Sequence, residues 1–261
     1  MARFAANLSL LFTDVPVQER IARAVKAGFD AVEIQFPYEI PAAELRAALD
    51  ESGTVMVLHN LPAGDWAGGD RGIACDPARR AEFLDGIALA VEYAKALGVQ
   101  QLNCLSGRAA AGVSEPDTRK TFVDNVGLAA EVLGAAGLRL LIEPVNSLDV
   151  DGFWLDSVTK ALSVMEEIGS DATALQFDIY HAHRSGGDVA ALIEQNLHQI
   201  GHVQFADSPG RHEPGTGELD FGYLFGHLDR LGYHGWIGAE YIPAGKTEAG
   251  LSWLKRYGER P

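Results

Sequence analysis

Cysteine is scarce in this chain: its 261 residues hold only Cys75 and Cys104. Two cysteines cannot build a disulfide framework, and such usage suits a reducing compartment. Long hydrophobic runs are absent too. No stretch approaches the ~20 apolar residues of a membrane-spanning helix. The first residues, Met1 to Asn7, lack the apolar core of a secretory signal. Basic residues are few, 21 against 36 acidic, for a formal charge of −15. That excess disfavours gripping a phosphate backbone, and no basic tract with interleaved aromatics appears. The expectation is a soluble cytoplasmic protein with no nucleic-acid and no membrane partner; homo-oligomerisation is left open.

Two motifs are missing as well. No Gly-x-Ser-x-Gly nucleophile elbow is present, which lowers acyl-transfer chemistry. The first apolar run leads into Asn7-Leu8-Ser9-Leu10-Leu11-Phe12 rather than a glycine-rich phosphate loop, which argues against a doubly wound dinucleotide fold. Glu213-Pro-Gly-Thr-Gly-Glu218 is glycine-rich but has no lysine, and reads as a loop.

What the chain does have is a recurring phrase: a helix-like stretch, a glycine, then an apolar run closed by a polar residue. Gly28 leads to Glu33, Gly53 to His59, Gly98 to Asn103, Gly137 to Glu143 and Gly232 to Glu240. Glycine favours the position just past a helix, and a continuous apolar run suits a strand covered on both faces. Phe83, Ile87, Val91 and Ala94 recur at helical spacing, and Pro16, Pro41, Pro77 and Pro116 sit near helix starts. Strands are predicted near 3–7, 31–35, 54–59, 100–104, 138–143, 173–178, 202–206 and 235–240. Eight strands alternating with helices predict an α/β (β/α)₈ TIM barrel, a single domain over residues 1–261. The stretch 60–76 is the longest without helical or strand character, and a loop of that length in such a fold is more often functional than not.

Active sites of such barrels lie at the C-terminal ends of the strands. Glu143, Asp178 and Glu240 close three predicted strands, and strand seven offers Gln204, with Asp207 just beyond it. The intervals are each about one βα unit, ~30 residues, so these side chains should converge. Hard oxygen donors so gathered suit one divalent ion, Mg²⁺ or Mn²⁺, which would relieve the repulsion among carboxylates. Glu143 and Glu240 are also placed to work as an acid/base pair on a carbon beside a carbonyl. Asp178 could equally cap a helix. His59 and His181 are candidate substrate contacts, the former balanced against a packed histidine. Arg71, Arg108 and Arg211 could each clamp an anion, with Arg71 and Arg108 preferred for a substrate carboxylate. Trp66 could cover the site; Glu33 is left without a role, and Cys104 reads as a buried thiol.

The segments His59–Trp66, Arg71–Cys75, Leu141–Asn146, Asp178–His181, His202–Asp207, Glu213–Glu218 and Gly238–Tyr241 resemble the hydroxypyruvate isomerases, within the xylose-isomerase-like barrels. The resemblance runs nearly end to end. It implies a metal-dependent conversion of hydroxypyruvate, a small hydroxy-carbonyl acid, to tartronate semialdehyde through a cis-enediolate. It implies metal ligands at Glu143, Asp178, Gln204 and Glu240, choosing Gln204 over Asp207, with Glu143 and Glu240 as acid and base. Related ketose epimerases carry histidine where Gln204 stands, which favours the hydroxypyruvate-isomerase side. A 2-oxo-tetronate isomerase and a ketose 3-epimerase remain as alternatives. A metal-dependent endonuclease would want more histidine ligands and a basic surface, and a non-catalytic sugar-acid binding module would show no turnover.

Overall fold

All eight apolar runs form strands, and all pair in parallel: β1 (Arg3–Asn7), β2 (Ala31–Glu33), β3 (Val55–Asn60), β4 (Gln101–Cys104), β5 (Arg139–Ile142), β6 (Thr173–Asp178), β7 (Ile200–Phe205) and β8 (Trp236–Ala239). They close in chain order, β8 pairing back onto β1 with Phe4 opposite Ile237. The structure is a computed structural model that describes residues 2–258, so the ends of the expected 1–261 domain lie outside the described residues. No described helix is long and apolar enough to cross a membrane.

Helices α1 (Val17–Ala27), α2 (Ala42–Ser52), α3 (Arg80–Leu97), α4 (Glu115–Ala135), α5 (Val158–Ile168), α6 (Ile179–Arg184), α7 (Val189–Asn196), α8 (Phe221–Arg230) and α9 (Ser252–Gly258) surround the barrel. Pro16 and Pro41 immediately precede α1 and α2, and Pro116 lies in the first turn of α4. Gly28 and Gly53 end α1 and α2 at φ 104° and 65°, where a side chain would be strained. On α3, Phe83, Ile87 and Ala94 are buried as expected, but Ala90 is buried in place of the half-exposed Val91.

Strand alternation sorts side chains into two sets. Outward residues pack under the helices: Phe4 meets the rings of Phe225 and Trp253 edge-on at 5.0 and 5.1 Å. Inward, a small apolar floor of Ala5, Ala31, Val57, Leu58, Leu141 and Ala174 fills the end where the strands begin. Above it lies a polar layer. Glu33, left without a role by the sequence, accepts from Asn7 Nδ2 (2.9 Å) and Gln204 Nε2 (2.7 Å) and lies 2.8 Å from His202 Nε2, contacts that bridge the bore. Three polar partners make burying this carboxylate tolerable.

That layer dictates glycine at 238, because a Cβ there would come within 2.5 Å of the Glu33 carboxylate. Replacing Gly238 with Ala should cost about 1–3 kcal/mol of unfolding free energy, as for an overpacked core. Urea denaturation of the variant checks this, and an unchanged midpoint would refute it.

Candidate active site

The polar layer supports a cup at the C-terminal rim. Asp178 ends β6, and Glu143 and Glu240 stand one residue past β5 and β8. The Glu240 N–H still donates to Phe205 O (3.1 Å), so the chain has not yet turned away. Donor atoms of Glu143, Asp178, Glu240 and His181 all lie within 4.8 Å of one another, and all four residues are buried.

Each carboxylate is held separately. Glu143 Oε2 accepts from Asn103 Nδ2 (2.7 Å) and Gln176 Nε2 (2.9 Å). Glu240 Oε1 accepts from Gln35 Nε2 (2.7 Å) and Asn7 Nδ2 (3.1 Å), and its Oε2 from Arg211 Nη2 (2.9 Å). Asp178 caps α6, its Oδ1 accepting from the Tyr180 N–H (2.7 Å), while its buried Oδ2 has no hydrogen-bond partner. The helix-cap reading of Asp178 is therefore observed, and one carboxylate oxygen is left over toward the cluster.

Crowding and burial oppose ionisation. Burial first, then the Glu240 and Asp178 charges, push the Glu143 carboxyl well above its usual range. Burial and Glu240 push Asp178 up to about 7. Burial raises Glu240 as well, against the pull of Arg211. These are the signs expected of a cluster built to share a cation or a proton.

Gln204 faces the same interior from β7. Its Nε2 is given to Glu33, and its Oε1 accepts from Gln176 Nε2 (2.6 Å), the amide that also serves Glu143. Asp207 is committed elsewhere. Its carboxylate accepts the backbone N–H groups of Ser208, Gly215, Thr216, Gly217 and Leu219, at 2.8 to 3.1 Å. It thus shapes the glycine-rich loop that follows Arg211.

Beside the cluster lies a cavity of about 110 Å³, lined among others by Glu143, His181, Arg211, Glu240, Trp66 and Arg71. His181, on α6, is expected from the sequence and is here; burial and the Arg211 charge hold it neutral. Trp66 packs against Phe36 with the rings tilted (4.8 Å), and the Arg71 guanidinium lies over the Trp66 ring at 4.4 Å. Arg211 lines the same cavity, in the left-handed region at φ 55° and bonded to Glu240. A larger cleft, about 780 Å³ beside Arg139, Glu166 and His198, lies where the strands begin, away from the carboxylates.

Two expected substrate contacts fall elsewhere. His59 is in register with Leu102, which packs outward, and its Nδ1 lies 3.1 Å from the Tyr38 hydroxyl, with the two rings edge-on. The next residue, Asn60, lines the cavity instead. Burial pulls His59 down to about 4, so it is a packed, neutral histidine. Arg108 is not in the cavity wall either. Its guanidinium donates to Gly69 O (2.6 Å) and Asp151 O (3.0 Å), tying the loop before α3 to the loop before α5. The backbone carbonyls of two loops take the donors that a substrate carboxylate would have used.

Sequence reasoning missed Asn7, Gln35, Asn60, Asn103, Gln176 and Asn146. For Asn7, Asn103 and Gln176 the signal existed, since each occupies an inward position of a strand. Gln35 and Asn146 lie past strand ends and carry no periodic mark. Cys75 and Cys104 are buried thiols, and burial raises the first to about 12.

A profile of the xylose isomerase-like TIM barrel family matches residues 21–257. The chain is 45% identical to a hydroxypyruvate isomerase of Escherichia coli, covering 98% of this chain and 100% of that protein. It is 44% identical to a 2-oxo-tetronate isomerase of Cupriavidus necator, over 98% and 99%. Among solved structures, a Brucella melitensis protein described as an AP endonuclease of family 2 superposes with a TM-score of 0.95 at 41% identity, over 98% and 99% of the two chains. The chain belongs to the xylose isomerase-like TIM barrel family, in the group of the hydroxypyruvate and 2-oxo-tetronate isomerases, and it is an isomerase.

Proposed function

We propose that this isomerase interconverts hydroxypyruvate and tartronate semialdehyde through a cis-enediolate, with a four-carbon 2-oxo-tetronate as the alternative substrate. The observation that carries the reading is the convergence of Glu143, Asp178 and Glu240 beside a cavity of about 110 Å³. A space of that size favours a three- or four-carbon acid over a hexose. The −15 charge also speaks against a nucleic-acid substrate.

The donor set fits one divalent cation. Asp178 Oδ2 is buried without a partner, three carboxylates repel one another, and three of the four clustered residues offer hard oxygens, His181 alone a nitrogen. Glu143, Asp178, Gln204 and Glu240 would hold it. Giving Nε2 to Glu33 turns the Gln204 oxygen toward Gln176 and Glu143, where it already accepts from Gln176 Nε2 and keeps a second lone pair for a cation. A cation bound there supplies charge neutralisation at the substrate's carbonyl and hydroxyl oxygens.

The chain's own groups do the rest. One of Glu143 and Glu240 takes a proton from the CH₂OH carbon. The other returns a proton to the former ketone carbon, and the hydroxyl proton shifts to the former ketone oxygen. Asn103 and Gln176 hold Glu143, while Arg211 and Gln35 hold Glu240, so the two carboxylates face the substrate from fixed positions. Arg71 at the mouth takes the substrate carboxylate, and Arg211 offers its remaining N–H groups to a substrate oxygen.

A panel of hydroxypyruvate, a 2-oxo-tetronate and free ketohexoses, run with EDTA and with added Mn²⁺ or Mg²⁺, tests this. The small acids should be turned over at least ~100-fold more efficiently than any hexose, the discrimination that one or two misfitted groups give. EDTA should abolish the activity. Ketohexose epimerisation as the main activity, or full activity in EDTA, would sink the proposal.

A further inference from the structure

The position of His181 allows three roles: a ligand beside the carboxylates, a base, or a hydrogen-bond donor. Its second ring nitrogen decides among them. Nδ1 faces Asn146, with the side-chain Nδ2 at 2.7 Å and the backbone N–H donating at 3.4 Å. The Asn146 amide is not free to turn over, because its Oδ1 accepts from the Asp149 N–H (3.0 Å) and its Nδ2 also donates to Asp149 Oδ2 (3.3 Å). The amide therefore presents N–H to His181, and Nδ1 meets two groups that can only donate.

We infer that Asn146 is a positioning residue that fixes His181 as a neutral imidazole with its proton on Nε2, so that the ring donates a hydrogen bond into the cavity and neither ligates nor takes up a proton there. Nε2 lies 3.7 Å from Asp178 Oδ2, at the edge of the carboxylate cluster and in the wall of the cavity. A nitrogen that carries a proton has no lone pair for a metal, so His181 is kept out of the ligand set despite its distance. An N–H there points where an oxygen of a bound hydroxy-carbonyl acid would gain charge, the role served by fixed donors in other enolising sites. The catalytic consequence rests on the isomerase reading above; the tautomer does not.

The two are tested separately. In the metal-free protein labelled with ¹⁵N-histidine, with His181→Gln used to assign the resonances, His181 should show a protonated Nε2 and an unprotonated Nδ1. A proton on Nδ1 in the wild type overturns the inference. Asn146→Asp puts a carboxylate oxygen where Nδ2 stood, which demands a proton on Nδ1 and frees Nε2. The spectrum should invert, and kcat should fall by roughly 10³–10⁴-fold, as when a catalytic histidine is held in the wrong tautomer. Mn²⁺ affinity, read by paramagnetic resonance of free Mn²⁺, should not weaken, because Nε2 becomes an additional donor. General misfolding would weaken both.

Asn146→Ala provides the check if the aspartate variant does not fold. It should populate both tautomers and lose about 10–100-fold in kcat, the usual cost of removing an orienting partner. A single wild-type tautomer with full kcat in that variant would take the role from Asn146. Wild-type protein that shows the expected spectrum but does not turn over hydroxypyruvate or a 2-oxo-tetronate would sink the isomerase chemistry alone.

Discussion

Glu143→Gln should reduce turnover by about 10³-fold or more, at the strong end for a lost general acid or base, and should make the metal-free protein more stable at neutral pH. The opposite signs share one cause. Glu143 is buried among Glu240 and Asp178, and its ionisation is opposed by burial and by both charges. An amide of the same shape keeps an oxygen for the Asn103 and Gln176 donors and removes the repulsion. It cannot carry the proton. Steady-state kinetics on hydroxypyruvate and calorimetry at pH 7.5 in EDTA check both halves. Retained activity would remove Glu143 from the chemistry, and a lower melting temperature would show that the carboxylate is not strained by its neighbours.

Stripped of divalent ions, the wild-type protein should lose stability as pH rises from about 4 towards 7, and Mn²⁺ or Mg²⁺ should restore it. Asp178 is pushed up to about 7 from its ordinary value of 3.8, with burial the main cause and Glu240 the next. Glu143 and Glu240 move in the same direction. Between the unfolded and folded values the native state binds more protons than the unfolded one. Stability is then fully present below about 4 and is lost as pH rises through about 7. One kcal/mol moves the melting temperature of a chain this long by roughly 2–4 °C, so a fall of roughly 5–10 °C between pH 5 and 7.5 is expected in EDTA. A cation at 100 times its Kd returns about 2.7 kcal/mol, and more metal-induced stabilisation should appear at pH 7.5 than at pH 5. Melting curves that stay flat with pH and do not respond to metal would contradict a cation-sharing cluster.

The barrel was legible because its signals are local and repeated. A glycine past each helix, an apolar run and a closing polar residue recur often enough to count strands, and strand count with parallel pairing leaves little freedom of topology. Glu143, Asp178 and Glu240 were legible for the same reason: a residue closing a barrel strand has its location set by the fold. His59 was misplaced for a definable reason. Pairing between β2 and β3 slips by one residue, Val32 facing Met56 but Glu33 facing Leu58. One extra residue in a strand reverses which side chains face inward beyond it, so Asn60 rather than His59 reaches the cavity. A run such as Val-Met-Val-Leu-His-Asn carries no mark of that slip.

The arginines divide along another line. Arg71, Arg108 and Arg211 each follow a strand and look alike in sequence. Arg108 is taken up by carbonyls of Gly69 and Asp151, while Arg211 is turned onto Glu240 by a loop gathered around Asp207. Such contacts join residues remote along the chain, and nothing in local periodicity encodes them.

The sequence by itself determined the eight-fold βα repeat, the acidic balance and which three carboxylates meet at the rim, because each follows from short-range pattern or composition. The tertiary structure alone decided which polar side chains serve those carboxylates, which arginine reaches them and how the His181 ring is held. Those outcomes depend on donors and acceptors brought together from separate βα units, where a shift of one residue or one loop changes the partner.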